Sequence, residues 1–141
     1  MKPVLPLSRI DTFLAEVFPQ IDGRMTTEAV GPGTARVRYH VTEADLRPGG
    51  TVSGPTMFTL ADCAYYIVTM AHIGEEALTV TTSCTINFMR KPAPGDLIAE
   101  ARILKLGKTL SVGDVLIFSA GKEDAPVAQA SLTYAIPPKR A

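Results

Sequence analysis

The sequence predicts an α+β domain in which an antiparallel sheet curves around one long, buried helix. Residues 55–72 are apolar on nearly every face, and a helix without a polar face must be surrounded by protein. Four strand-like segments follow this helix between short turns, a spacing that favours an antiparallel meander. Because one helix does not cover both faces of such a sheet, we expect the sheet to curve around it.

The composition is that of one globular domain. Of the 141 residues, 46% are hydrophobic and 20% are charged, which argues against disorder and is enough for a core. We therefore predict a single domain over 1–141. The 14 Lys and Arg residues balance the 14 Asp and Glu residues, and a chain without excess positive charge is a poor candidate for binding nucleic acid.

The first elements in the chain are a helix and a hairpin. Ser8 is predicted to cap a helix at about 8–18, because apolar residues then recur at helical spacing. Two strands, 25–30 and 34–41, flank the turn Gly31-Pro32-Gly33. The second strand alternates between apolar and basic residues, which is typical of a half-buried strand.

The remaining elements are the long helix and the last strands. Residues 42–54 form a polar, glycine-bearing loop, and Pro55 suits the first turn of the helix because its missing N–H costs nothing there. Turns rich in Gly and Pro then divide the rest of the chain into four predicted strands. These strands are 78–90, 97–106, 110–120 and 127–136.

Segments for secretion, membrane insertion or metal binding are not expected. Residues 1–9 lack an apolar stretch before a cleavage site, and the run 57–71 is too short to span a bilayer. Cys63 and Cys84 lie in apolar segments and are expected to be free thiols of a cytoplasmic protein, with a disulfide between them as the alternative. The cysteines and the two histidines lack ligand spacing, so no metal site is predicted.

Asp62 is the residue in the long helix that most needs an explanation. It is the only charged residue between Pro55 and Ala71 and interrupts a segment that is otherwise built for burial. An unpaired buried carboxylate is strongly destabilising, so Asp62 needs polar partners or a catalytic role. A structural Asp that bonds to a neighbouring backbone group or hydroxyl is the alternative to a functional one.

The residues around Asp62 resemble a known family. Residues 54–64 are similar to the helix start of the PaaI-like hotdog-fold acyl-CoA thioesterases, whose pattern is His-Gly-Gly, a short apolar stretch and Leu-x-Asp-x-Ala. Residues 85–96 resemble the central strand and following turn of that family, and 104–109 resemble its next hairpin. The order and spacing of these motifs are more specific than any one of them. The resemblance covers about 46–136 and implies a hotdog fold.

The resemblance implies that the protein hydrolyses acyl thioesters. In this family the helix Asp acts as general base or nucleophile on the thioester carbonyl, a role that falls here to Asp62. Thr81 stands where relatives place a Ser or Thr that orients the attacking water, and a surface-facing strand threonine is its alternative. The helix start offers backbone N–H groups for the carbonyl oxygen. Because Pro55 has no N–H, Gly54 or Thr56 is expected to serve.

The resemblance also identifies candidate residues for binding the substrate. Ser53 replaces the family's His, and Arg47 falls near a family loop Asn; Arg47 is a candidate for binding a carboxylate or phosphate. Coenzyme A is expected as part of the substrate, without a separate cofactor. Basic residues in regions that lie near its nucleotide in relatives are candidates for contacting its phosphates, although each is alternatively a solvated charge. They are Arg90, Lys91, Lys105 and Lys108.

Free sheet edges and zero net charge predict a homo-oligomer, either a dimer or a dimer of dimers. In relatives, two subunits build each site. The main alternative to an acyl-CoA thioesterase is a non-catalytic acyl-CoA-binding or scaffold protein with the same fold. The changes at Arg47, Ser53 and Pro55 favour this alternative, and the retained Asp62 favours the enzyme. Acyl chain and pathway are left open by the sequence.

Overall fold

The computed structural model describes residues 1–138, so residues 139–141 of the predicted domain lie outside the described range. Within that range the helices are α1 (Leu7–Val17) and α2 (Gly54–Ile73), with short 3₁₀ turns at Pro19–Ile21 and Glu43–Asp45. The strands, in chain order, are β1 (Met25–Gly31), β2 (Thr34–Tyr39), β3 (Val80–Phe88), β4 (Leu97–Leu106), β5 (Leu110–Ser119) and β6 (Ala128–Ala135).

Each predicted helix and strand is present, with bounds that differ by no more than two residues. The predicted cap of α1 is wrong. Pro6 is the N-cap residue and makes no side-chain hydrogen bond, while Ser8 lies inside the first turn. The apolar residues Ile10, Phe13 and Leu14 of α1 are buried, and their burial rather than a capping side chain fixes the helix against the rest of the fold.

The six strands form one antiparallel sheet in the order β1-β2-β4-β5-β6-β3. The predicted meander of four consecutive strands is therefore wrong for β3, which pairs with β6 from Val80↔Ala135 to Phe88↔Ala128. The connection 89–96 is long enough to cross the end of the sheet, and it passes the start of α2, where the Val52 N–H donates to the Pro92 carbonyl at 2.9 Å. Polar residues along β3 suit this edge position.

Helix α2 is packed inside the curve of the sheet, as its sequence predicts. Thirteen of its residues are buried. Gly113 allows α2 to pack closely against β5, because a Cβ at this position would lie only 2.6 Å from the Tyr65 ring. The Tyr65 hydroxyl lies 2.9 Å from the Ser111 hydroxyl, so this contact fixes how α2 is rotated against the sheet.

Both cysteines are free, as expected; Cys63 is buried and Cys84 is half-buried. Within residues 1–138, helices long and apolar enough to cross a membrane are absent. The same part of the chain holds no group of three or more His, Cys, Asp or Glu residues placed to bind a metal ion.

Candidate active site

Asp62 lies in the third turn of α2, on the side that faces β3 and β6. The Thr81 hydroxyl of β3 donates to Asp62 Oδ1 at 2.6 Å, and the Tyr134 hydroxyl of β6 lies 2.6 Å from the same oxygen. Thr81 and Tyr134 are paired across the two strands. The antiparallel pairing therefore presents two hydroxyl donors to one carboxylate oxygen.

The second carboxylate oxygen of Asp62 is left without a partner. Within residues 1–138, Oδ2 accepts no hydrogen bond, since Thr81 and Tyr134 both contact Oδ1. The Asp62 side chain is half-buried, because a cleft opens beside it. The hydroxyls of Thr81 and Tyr134 are hydrogen-bond donors that would also stabilise an Asp with a purely structural role. An oriented carboxylate with one free oxygen facing a cleft has, in addition, the geometry of a general base or nucleophile.

Tyr134 is a site residue that the sequence analysis missed. Its side chain is 2% exposed, and burial raises the pKa of its phenol, with the Asp62 charge raising it further. The hydroxyl thus stays protonated and available as a donor. The alternation of β6 places Tyr134 on the inward face. The contact of Tyr134 with Asp62 and Thr81 depends on the pairing of β3 with β6, which the sequence pattern did not predict.

The cleft beside Asp62 has a volume of about 350 Å³. It lies between the end of α1, the middle of α2 and the loop that joins α2 to β3. Most of its lining is apolar. The lining residues are Leu14, Val17, Phe18, Asp62, Cys63, Tyr66, Ala77, Leu78, Thr79 and Tyr134.

Other nucleophiles and bases are poorly placed. Burial, with a smaller effect of the Asp62 charge, raises the pKa of the Cys63 thiol to about 12, so Cys63 stays protonated and unreactive near neutral pH. His72 lies ten residues beyond Asp62, about 15 Å along the helix. Its ring nitrogens bond to the Val68 carbonyl at 2.8 Å and the Gly33 N–H at 2.9 Å. Among these groups, Asp62 alone presents a carboxylate to the cleft.

Two predicted substrate contacts, Ser53 and Thr56, have a structural role at the start of α2. Ser53 is the N-cap residue, and its Oγ accepts from the Thr56 N–H at 3.2 Å. The Ser53 hydroxyl also donates to the Thr56 hydroxyl at 3.0 Å. Thr56 is buried, and its N–H is occupied by the cap. Ser53 and Thr56 therefore hold the helix start together, and Thr56 does not offer an N–H to a substrate.

Gly54 retains a free N–H at the helix start. Within residues 1–138 this N–H has no hydrogen-bond partner, as is usual for the first residue of a helix. A Cβ at Gly54 would lie 3.4 Å from the Phe88 ring, so Phe88 covers this end of the helix. Gly54 and Asp62 are eight residues apart, about 12 Å along the axis. One bound carbonyl therefore cannot contact both groups of the same chain.

Asp45 is a second buried carboxylate that the sequence analysis missed. It is 4% exposed and accepts from the Tyr39 hydroxyl at 2.7 Å, the Thr42 N–H at 2.8 Å and the Thr56 hydroxyl at 3.1 Å. The Arg24 guanidinium lies 3.3 Å away, and the Asp45 carbonyl accepts from the Ser53 N–H at 2.8 Å. Asp45 thus ties the loop before α2 to the sheet and to the helix start.

A comparison with known protein families identifies the family of this chain. The family model described as the thioesterase superfamily matches residues 49–126, more than half of the chain and the whole segment from the loop before α2 to the turn before β6. The chain belongs to the thioesterase superfamily.

Solved structures agree with this assignment. A candidate thioesterase from Silicibacter sp. TM1040 is 52% identical, with a TM-score of 0.90 over 98% of this chain and 96% of that one. The phenylacetic acid degradation protein PaaI from Thermus thermophilus is 23% identical, with a TM-score of 0.72 over 84% of this chain and 99% of that one. The six-strand sheet and long helix match these neighbours, which confirms the predicted PaaI-like hotdog fold.

A third neighbour of this thioesterase-superfamily chain was solved with a ligand. The protein smu.793 from Streptococcus mutans UA159, bound to acetyl CoA, is 24% identical, with a TM-score of 0.71. The alignment covers 83% of this chain and 91% of that one. At this level of identity the match supports the shared fold.

The basic residues predicted to contact coenzyme A do not form one cluster in this thioesterase-superfamily chain. Arg90 follows β3 and donates to the Pro126 carbonyl at 2.5 Å, next to Lys91 and the start of β6. Lys105 and Lys108 lie at the other end of the sheet, where Leu110 pairs with Ala135. The two ends are separated by the eight residues of β6, Ala128–Ala135, whose seven residue steps span about 23 Å of strand.

Arg47 lies in the loop before α2, at the same end of the sheet as Arg90. Its side chain is exposed, and within residues 1–138 it makes no side-chain hydrogen bond. Its backbone closes a turn, since the Arg47 N–H donates to the Thr51 carbonyl at 2.8 Å. The Arg47 backbone is therefore fixed near the helix start, while its side chain remains accessible.

Proposed function

We propose that this protein is an acyl-CoA thioesterase, which hydrolyses the thioester of an acyl-coenzyme A. The observation that supports this most is the geometry of Asp62. Thr81 and Tyr134 hold its Oδ1 at 2.6 Å each, Oδ2 has no partner among the described residues, and Asp62 lines an apolar cleft. The match to the thioesterase superfamily over residues 49–126 supports the same reaction class.

Two routes are consistent with this geometry. In the first, a water oxygen bonds to the thioester carbonyl carbon while its proton passes to Asp62 Oδ2. In the second, Oδ2 itself bonds to the carbonyl carbon, and water then hydrolyses the resulting anhydride. In both, the C–S bond breaks. In the first route the proton on Oδ2 passes to the leaving sulfur, and in the second the coenzyme A thiolate takes the proton that the hydrolytic water releases, which restores the Asp62 carboxylate. A backbone N–H would stabilise the negative charge that develops on the carbonyl oxygen.

The distance between Asp62 and the helix start supports a site shared between two subunits. Gly54 offers the free N–H, but it lies about 12 Å from Asp62 along the same helix. Strand β3 has a free edge, and it leaves Val80 and Phe88 54% and 51% exposed. A two-fold axis that pairs β3 with its copy would run the strands antiparallel and set the start of each against the end of the other.

This pairing would assemble a complete site from two incomplete halves. Thr81 and Asp62 lie beside the start of β3, and Phe88, which covers Gly54, lies at its end. Asp62 of one subunit would therefore face the Gly54 N–H of the other. The same arrangement would bring the Lys105 and Lys108 end of one subunit towards Arg90 and Lys91 of the other, where they could bind the coenzyme A phosphates together.

Paired variants test the shared site. Gly54→Pro removes the free N–H while suiting the first helical position, and Gly54→Ala is the matched control that keeps the N–H. We expect the proline variant to lose about 100-fold in kcat and the alanine variant to retain most activity. Co-expressed Gly54→Pro and Asp62→Asn chains would recover about a quarter of wild-type sites through mixed dimers. A site within one chain would recover none.

A non-catalytic acyl-CoA-binding or scaffold protein is the second candidate. The helix start favours it, because Pro55 lacks an N–H and the Thr56 N–H is occupied by Ser53. A panel of acyl-CoA substrates with detection of the free thiol separates the two candidates. Turnover of at least one thioester well above the rate in buffer supports the enzyme. Tight binding of coenzyme A esters without turnover would support the scaffold.

A further inference from the structure

The cleft beside Asp62 exposes apolar side chains from two separate elements. Val17 and Phe18, at the end of α1, are 39% and 42% exposed, and Leu78, in the loop before β3, is 73% exposed. Large apolar groups that converge on one cleft and remain open to water are typical of a surface that binds an apolar ligand. These three residues form the rim of the cleft, which Asp62 also lines.

Apart from the Thr79 hydroxyl, which is buried without a partner among the described residues, the polar groups of the cleft are engaged or carry negative charge. The Tyr134 hydroxyl contacts Asp62, and the Tyr66 hydroxyl lies 3.4 Å from the Ala77 carbonyl. Among the described residues that line the cleft, Lys and Arg are absent, and Asp62 is the only charged side chain. A second carboxylate bound here would lose its hydration without gaining a cationic partner and would be repelled by Asp62.

The bottom of the cleft is closed by the packing of α1 against α2. Leu14 and Tyr66 line the cleft and also the neighbouring contact with Ile10, Phe13 and Met70. The core beneath is therefore filled, and a chain that enters past Asp62 must run along the rim towards Phe18. At about 350 Å³, the cleft is at the small end of the range for small-molecule pockets.

From this lining, we propose that the cleft binds the acyl group of the substrate and selects uncharged, apolar acyl chains over chains that end in a carboxylate. Val17, Phe18 and Leu78 are the residues that determine this specificity. The inference rests on the proposed thioesterase function, because it places the acyl chain beside Asp62. It adds the chemical class of the acyl group and assigns its recognition to the end of α1 and the loop before β3.

Thioethers of coenzyme A test this proposal without requiring hydrolysis. Calorimetry would measure the Kd of S-ethyl-, S-butyl-, S-hexyl- and S-(5-carboxypentyl)-coenzyme A. Each added methylene should tighten binding about fourfold until the cleft is full. The S-(5-carboxypentyl) compound, which has as many carbons as S-hexyl, should bind no more tightly than S-ethyl.

Two substitutions assign this selectivity to the rim. Phe18→Ala should reduce the gain in affinity per methylene for the longer chains, since it removes apolar contact area. Leu78→Arg places a cation at the rim and should shift the ratio of affinities towards the carboxypentyl compound by at least about threefold. Leu116→Arg is the matched control, because Leu116 is an exposed leucine of β5 outside the cleft, and it should leave the ratio unchanged.

Each outcome of these measurements supports or overturns the proposal. Equal affinities across the alkyl series, together with turnover of acyl-CoA substrates, would overturn the assignment of the cleft and leave the thioesterase function standing. If the wild type binds all the alkyl thioethers equally and Leu78→Arg changes the oligomeric state, the cleft is covered by a second subunit instead of an acyl chain. Failure of every thioether to bind and of every thioester to turn over would refute the proposed function itself.

Discussion

Asp45 and Asp62 are two carboxylates on either side of the start of α2, and their surroundings differ in three respects. Asp45 is buried, lies beside the Arg24 charge and accepts hydrogen bonds from four residues, which are Arg24, Tyr39, Thr42 and Thr56. Asp62 is half-buried, receives hydroxyls on one oxygen only, and faces a cleft whose described lining residues include no Lys or Arg. A carboxylate with all its partners stabilises a fold, whereas one with a free oxygen can act on a ligand.

The pKa of Asp45 reflects its surroundings. Burial alone would raise it, but the hydrogen bonds from Thr42, Tyr39 and Thr56 and the charge of Arg24 outweigh burial and lower it below the ordinary value. The ionised form is thus part of the folded structure. The comparison predicts that substitutions at Asp45 affect mainly stability, and that substitutions at Asp62 affect mainly activity.

The largest expected effect is that of Asp45→Asn on stability. An amide in this position keeps the shape but removes the charge opposite Arg24 and presents an N–H₂ group to donors. We expect the free energy of unfolding to fall by about 3 kcal/mol, measured by urea denaturation. The kcat per folded molecule should change less than tenfold, because Asp45 is buried and its carboxylate oxygens are already bonded within the fold. A protein of unchanged stability would contradict the assigned role of Asp45.

A change in the pH dependence of stability is expected next. Because the folded pKa of Asp45 is lowered, its ionisation stabilises the protein above the unfolded pKa of about 3.9. This stabilisation is lost as the pH falls through the folded pKa. The free energy of unfolding should therefore decrease more steeply below about pH 4 in the wild type than in Asp45→Asn. Parallel acid limbs for the two proteins would argue against this linkage.

The sequence predicted the surroundings of Asp62 better than those of Asp45. Its apolar pattern predicted α2 and every strand to within two residues, because periodicity reflects which face is buried. It also singled out Asp62, since a charge within an apolar helix stands out. Asp45 was missed because it lies in a polar loop without periodicity, where a buried carboxylate looks like a solvated one. Its partners come from positions as distant as Arg24 and Thr56.

Strand order was the second failure, and it explains why Tyr134 was missed. The length of the turns suggested that neighbours in sequence pair, yet β3 pairs with β6, more than forty residues away. Long-range pairing depends on which faces the whole fold can bury, which no local pattern records.

A smaller effect is expected from the hydroxyls that orient Asp62. Tyr134→Phe and Thr81→Val should each lower kcat about tenfold, because Oδ1 loses one of its two donors and the carboxylate is held less firmly. Thr81→Ser keeps the hydroxyl and should retain most activity. Tyr134→Phe should also cost about 1 kcal/mol of stability. Full activity in both hydroxyl-free variants would show that orientation of the carboxylate does not matter.

The smallest expected effect concerns the basic residues at the two ends of the sheet. Alanine at Arg90, Lys91, Lys105 or Lys108 should raise KM a few-fold with little change in kcat, because contacts to a phosphate bind the ground state and transition state equally. The effect should shrink as salt is added. Equal KM values for the wild type and all four variants at low ionic strength would show that these charges only solubilise the protein.

The most direct test of the central claim is Asp62→Asn, measured for both kcat and stability. Asn keeps an oxygen that accepts from Thr81 and Tyr134, so the site should retain its shape and the free energy of unfolding should change by less than about 1 kcal/mol. Because an amide neither accepts a proton from water nor attacks a carbonyl, kcat on the best acyl-CoA should fall at least about 100-fold. A folded Asp62→Asn protein that turns over this substrate near the wild-type rate would contradict the account.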